Sequence, residues 1–163
     1  MENIENPEHV QTETLAVPPA NKFELDNLQV DIAKAASWFF WIAGLSVINS
    51  LLFYMGANMN FILGLGMTQL VDGLAAGLSN GANFIALIPD LMIAGFFFYI
   101  GYRSKKIDKW AFVTGIILYT LDALIYLFFS EWFAFGFHVF ALVMIIRGFI
   151  KVFEYNKINK LTV

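Results

Sequence analysis

Four apolar stretches dominate the chain, each close to the roughly 20 residues that a helix needs to cross a bilayer. They run at about residues 35–56, 82–102, 110–130 and 133–153. In lipid, every backbone amide and carbonyl must be satisfied within the segment, so such stretches fold as helices. The expected class is all-α, an integral membrane four-helix bundle. Composition points the same way: of 163 residues, 59% are hydrophobic and 14% charged, against about 25% charged in a soluble domain. The 18 phenylalanines exceed what one soluble core of this size needs.

The basic residues orient the bundle. All ten are Lys22, Lys34, Arg103, Lys105, Lys106, Lys109, Arg147, Lys151, Lys157 and Lys160. Each lies before the first span, between the second and third, or at the end of the fourth and beyond. The connection at 57–81 and the turn near Glu131 have none. The positive-inside rule then places both termini and the 103–109 loop in the cytoplasm. Trp38, Trp41, Trp110 and Trp132 fall near span ends, as interfacial tryptophans do.

The segment 61–79 is long enough to span, but Thr68, Gln69, Asp72 and frequent glycine interrupt it. Met67, Leu70, Val71, Leu74 and Leu78 share one helical face. A fifth span would set the N-terminal lysines opposite the 103–109 cluster, so an interfacial or half-inserted outer helix is expected instead.

Outside the spans the chain is polar. Seven of the thirteen acidic residues lie in the first 31 positions. Residues 1–20, with Pro18-Pro19, are expected to form a disordered acidic tail. Asn21 and Glu24 have the spacing of a capping box, and Leu25, Leu28, Ile32 and Ala36 then share a face. Residues 21–34 therefore read as a juxtamembrane helix on the membrane surface or leading into the first span, and 154–163 as a cytoplasmic tail. The acidic N-terminus is no signal peptide, so the first span is expected to serve as its own insertion signal. The absence of cysteine excludes disulfides and thiolate metal sites, and no basic patch suits nucleic acid.

Ionisable residues inside spans are costly and are functional candidates. They are Asp90, Asp122, His138 and Arg147, with Asn49 as a neutral companion. At about 1.5 Å per residue, Asn49 lies roughly 10 Å from the outer surface, Asp90 and Asp122 roughly 12 Å, and His138 roughly 8 Å. Four polar groups from four helices thus share one layer of the outer half. Tyr119 and Tyr126 lie on the face of Asp122, and Asn83 on that of Asp90. Ser46, Asn49 and Ser50 cluster on the first span. Pro89 is expected to kink the second span beside Asp90. An uncompensated carboxylate is costly at this depth. An aspartate without a counter-charge is therefore expected to be protonated, and one next to His138 to form an ion pair or share a proton. Either arrangement can move protons, hold a cationic or hydroxylated ligand, or bind a cation.

Each candidate has a structural alternative. Asp122 and His138 can hydrogen-bond neighbouring helices, Asp90 can find partners at the bend, and Asn49 reads as structural. Arg147, near the cytoplasmic end and on the face opposite His138, reads as a snorkelling anchor. Asp72 is expected to be solvated at the outer interface or to fold over the site as a lid. No metal site is expected, since no His-x-x-x-His or Glu-x-x-His pair is present, and no cofactor. Gly64-Leu65-Gly66 has no following Lys-Ser/Thr to make a phosphate loop. Gly77-Leu78-Ser79-Asn80-Gly81 matches Gly-x-Ser-x-Gly, but the strand that a nucleophile elbow needs is missing.

The runs FILGLGMTQLVDGLA, GIILYTLDALIYLFFSEW and FHVFALVMIIRGF resemble parts of a family of small four-span bacterial membrane proteins with no assigned activity. The resemblance covers most of the membrane region, including Asp72, Asp122 and His138, and omits the acidic tail. It implies no reaction, and the location expected from the chain as a whole is the inner membrane.

These readings combine into one expectation: an outer-half polar cavity that binds a small or lipid-like ligand or an ion. Asp90, Asp122 and His138 would carry it, supported by Tyr119, Tyr126 and Asn49. Partners would be the lipid bilayer, the ligand, and a membrane-protein partner or a second copy. The first alternative is a structural or assembly protein whose polar layer locks the helices together, with Ala111 and Gly115 at close contacts. The second is an intramembrane enzyme using an Asp/His pair for acid–base chemistry on a lipid, which needs the two groups in hydrogen-bond reach.

Overall fold

The computed structural model describes residues 19–55, 64–78 and 87–161. Residues 1–18 of the expected acidic tail, Asn83 and the serine of the Gly-x-Ser-x-Gly match lie outside them, and the last two tail positions, 19 and 20, are helical instead. The described residues form five helices: α1 (Pro19–Tyr54), α2 (Gly66–Leu78), α3 (Leu87–Lys105), α4 (Lys109–Phe128) and α5 (Trp132–Leu161). α1 packs mainly against α3 and α5, and α4 against α5 and α3, closing a ring of four long helices. α2 touches α1, α3 and α4.

Among the described residues, three helices are long and apolar enough to cross a membrane: Asn21–Phe53, Lys109–Phe128 and Trp132–Leu161. α3 has 19 residues but carries Asp90 in its first turn and Arg103 and Lys105 in its last. The outward surface is apolar on every long helix. Ile117, Leu121 and Leu124 of α4, Val139, Phe140 and Val143 of α5, and Leu91, Met92 and Phe96 of α3 are all exposed. A bundle built for water would place polar side chains there. The inversion fits a hydrocarbon surrounding.

Small residues let the helices pack closely. Phe39 of α1 anchors the centre, its ring 6.5 Å from Phe97 and 6.2 Å from Phe112. Gly115 leaves the space that the Phe39 ring and Ile100 occupy, and Gly148 lets α5 close onto Ala35 of α1.

α1 runs unbroken through 36 residues, so the expected lead-in helix and first span form one rod. Its length is about 54 Å, well beyond the roughly 30 Å of hydrocarbon. Leu25, Leu28, Ile32 and Ala36 are buried, so the expected apolar face is real and covered by protein. α5 likewise continues to Leu161, and Gln29 of α1 donates to the Tyr155 hydroxyl at 2.9 Å. Helix α1 already includes Pro19 and Ala20, ahead of the expected cap at Asn21, and Pro89 is the third described residue of α3, a place where a missing N–H costs little.

The α3–α4 turn is tight. Ile107 has φ 63, a left-handed conformation that is rare for a β-branched residue. The carboxyl of Asp108 caps α4 by accepting the Trp110 N–H at 3.0 Å and binds the Arg103 guanidinium at 2.6 Å.

Candidate functional site

The 13 described residues of α2 make about 20 Å of helix. Its N-terminus is plugged into the bundle. Leu65 and Thr68 are fully buried, while Leu74 is 67% exposed. The helix is therefore inverted relative to a soluble amphipathic one. Its polar residues Thr68 and Asp72 face the protein, and its apolar face points outward.

Side chains of α1 and α4 fasten that end. The backbone N–H of Leu65 donates to Ser46 Oγ at 2.8 Å, and the Tyr126 hydroxyl donates to the Gly64 carbonyl at 3.2 Å. Gly64 passes close beside Ser46 and Asn49, where a Cβ would be tight. Asp122 does most. Its Oδ2 accepts the N–H of Gly66 and its Oδ1 that of Met67, both at 2.9 Å. These are the first two amides of α2, and they have no partner within a helix. A carboxyl of α4 thus caps α2, at the positive end of its dipole.

His138 of α5 completes the arrangement. Its Nδ1 is 2.8 Å from the Ala134 carbonyl, which can only accept, so Nδ1 carries a proton. Its Nε2 is 3.0 Å from Asp122 Oδ2. One proton joins these two atoms, and the pair is neutral overall whichever atom holds it. That neutrality lets both side chains be fully buried. The imidazole lies between Tyr119, stacked at 4.5 Å, and Tyr126, at 4.7 Å.

Asp90 has different neighbours. Its buried carboxyl lies beside Asp72 of α2 and Ser50 of α1. Neither Asp90 oxygen meets a donor with hydrogen-bond geometry, and neither does the Ser50 hydroxyl. Two carboxylates cannot hydrogen-bond each other, whereas one shared proton makes one the donor and the other the acceptor. This corner suits a proton or a small cation. Asp72 is 2% exposed, which corrects the expectation that it is solvated. As a polar residue on the inward face of an inverted helix, it meets protein and not water.

The expected single layer thus divides. Asp122, His138, Tyr119 and Tyr126 gather at the start of α2. Asp90 joins Asp72 and Ser50, and Asn49 is buried near Gly64. Sequence reasoning missed Ser46 as an anchor of the Leu65 amide and Asp72 as a buried partner. The Ser46, Asn49 and Ser50 spacing was the available signal for the first.

A cavity of 470 Å³ opens just outside the clamp, between α2, α4 and α5. Gly66, Leu70, Ile125, Phe129 and Ala134 give it an apolar wall, and Gln69, Tyr126 and Glu131 a polar rim. Tyr126, Gly66 and Ala134 each also touch the Asp122–His138 pair or the residues it holds. No protein-family model, curated protein or solved structure matches the chain.

Proposed function

We propose that the chain crosses the membrane four times, through α1, α3, α4 and α5, with both termini cytoplasmic and α2 half-inserted from the outer side. The distribution of lysine and arginine supports this orientation, and the apolar surface of all four helices supports the count. Asp122 lies six residues before the end of α4, so α2 reaches about 9 Å below that end.

Within that frame, the outer cavity holds a small lipid-like ligand with a hydroxyl or cationic head. The observation that carries this reading is the lining. An apolar wall between three helices meets a rim of Gln69, Tyr126 and the Glu131 carboxylate. Such a rim offers mainly acceptors and disfavours an anionic head. The Asp122–His138 pair is then a positioning element that fixes the α2 wall. Photo-crosslinking with a diazirine-bearing alkylamine tests the proposal. Labelling concentrated on Leu70, Ile125 and Phe129 is the expected result. Labelling spread evenly over outward residues such as Ile117, Leu121 and Phe140 rejects it.

A second reading has its own observation. Both Asp122 oxygens are already occupied, by two amides and an imidazole, as in a lock between helices with no further task. It predicts loss of stability in Asp122 variants and no bound ligand. An acid–base enzyme has its Asp/His contact at 3.0 Å, but a lipid substrate has to displace buried partners to reach it.

A further inference from the structure

We propose that a second groove, at the opposite end of the bundle, binds the phosphate head of an anionic phospholipid. The groove is 310 Å³, lies between α1 and α5, and is lined by Lys34, Arg147, Lys151, Asp31, Trp38 and Met144. Three cations thus face one carboxylate. Lys34 meets Asp31 loosely, at 3.6 Å with both side chains largely exposed. Lys151 turns to Glu154 at 2.9 Å. Arg147 has no hydrogen bond or ion pair among the described residues. A guanidinium offers five donors in a planar fork that matches a phosphate, and one left without a partner at the edge of hydrocarbon is set for an anion.

Depth selects a lipid over a free anion. Counting along α5 from Trp132, Arg147 lies about 22 Å and Lys151 about 28 Å away, so both approach the level where roughly 30 Å of hydrocarbon ends, within reach of side chains that extend toward the headgroups. Trp38 is one turn deeper than Lys34, and Met144 nearly one turn deeper than Arg147. The groove therefore runs from a cationic mouth to an apolar interior, the order of headgroup and acyl chain. Between the two helices, Gly148 allows α5 to approach Ala35. Basic pockets between membrane helices on the cytoplasmic side bind anionic heads in this way.

The inference rests on the membrane placement proposed above but not on its orientation, because nanodiscs present the same lipid to both faces. Protein is reconstituted in nanodiscs of equal phosphatidylglycerol and phosphatidylcholine, released, and weighed by native mass spectrometry. The expected result is selective retention of phosphatidylglycerol. It falls about thirtyfold in Arg147→Gln/Lys151→Gln, at roughly fivefold per cation lost. Lys34→Gln alone, on the other helix, lowers it about fivefold and serves if the double variant fails to fold. Equal retention of both lipids, or retention unchanged in the variants, overturns the proposal. Displacement by inorganic phosphate assigns the groove to a free anion instead. Failure to enter nanodiscs at all overturns the membrane placement with it.

Discussion

The carboxyl of Asp122 accepts the backbone N–H of Gly66 at 2.9 Å, so a residue of α4 caps a helix that begins 56 positions earlier. This contact ties the half-buried α2 to the four long helices. It also places His138, Tyr119 and Tyr126 around one neutral pair.

Removing Asp122 should therefore cost more than a typical buried substitution. Asp122→Ala strands two amides and the imidazole, and should lower the unfolding free energy in detergent by roughly 3 kcal/mol. Asp122→Asn keeps one acceptor and turns a donor toward an N–H, so about 2 kcal/mol is expected. Insertion into the membrane should be unaffected. Denaturant unfolding followed by circular dichroism checks both values.

Asp90→Asn should behave in the opposite way. The aspartate forms no hydrogen bond that the change removes, and an amide supplies Asp72 with a donor without needing a proton. The variant should unfold at or above the temperature of the wild type. A clear drop would mean that the Asp90 carboxylate has a partner or bound cation that the amide cannot replace.

Close packing at the centre gives a third expectation. In Gly115→Ala the new methyl meets the Phe39 ring and Ile100, and a cost of about 2 kcal/mol follows from overpacking. Phe39→Leu in the same chain should recover part of it, because the two changes share one space. Purely additive losses in the double variant would show that the contact is not where the strain lies.

Asp108 supplies a pH dependence. The Arg103 guanidinium beside it holds its carboxyl below the usual carboxylate range. A depressed value in the folded chain means that the contribution is complete above the unfolded value, about 3.9. It is lost as pH falls through the folded one. Asp108→Ala should cost about 1 kcal/mol at neutral pH, as for other helix caps. It should also flatten the acid limb of a melting series taken down to about pH 3. An unchanged acid limb would assign that limb to other carboxyls.

Much of this was legible in the residues. Tyr119, Asp122 and Tyr126 lie three and four apart, which sets them on one face whatever the partner, and all three are buried. Ala111 and Gly115 signalled a close contact, and both are buried. The direction of α2 was not legible. An alternating polar and apolar helix reads as having its polar face in solvent, and that assumption reverses when the solvent is hydrocarbon. The expectation that Asp72 is solvated failed for this reason. The single layer of Asp90, Asp122 and His138 divided for another. Depth along a helix follows from counting, but the neighbour on each side depends on which helices adjoin, and here the start of α2 meets Asp122 while Asp72, further along α2, meets Asp90.

The most direct test of the central claim is native mass spectrometry of the protein extracted from its own membrane, beside Leu70→Trp. Leu70 lines the outer cavity and is partly exposed, so a larger ring there fills the space without touching Asp122 or His138. The account predicts a retained lipid-like mass on the wild type, absent from the variant, with both proteins equally folded. A phospholipid held in the α1–α5 groove would appear on both proteins, so bare protein in both samples, or no mass that the variant loses, would contradict it.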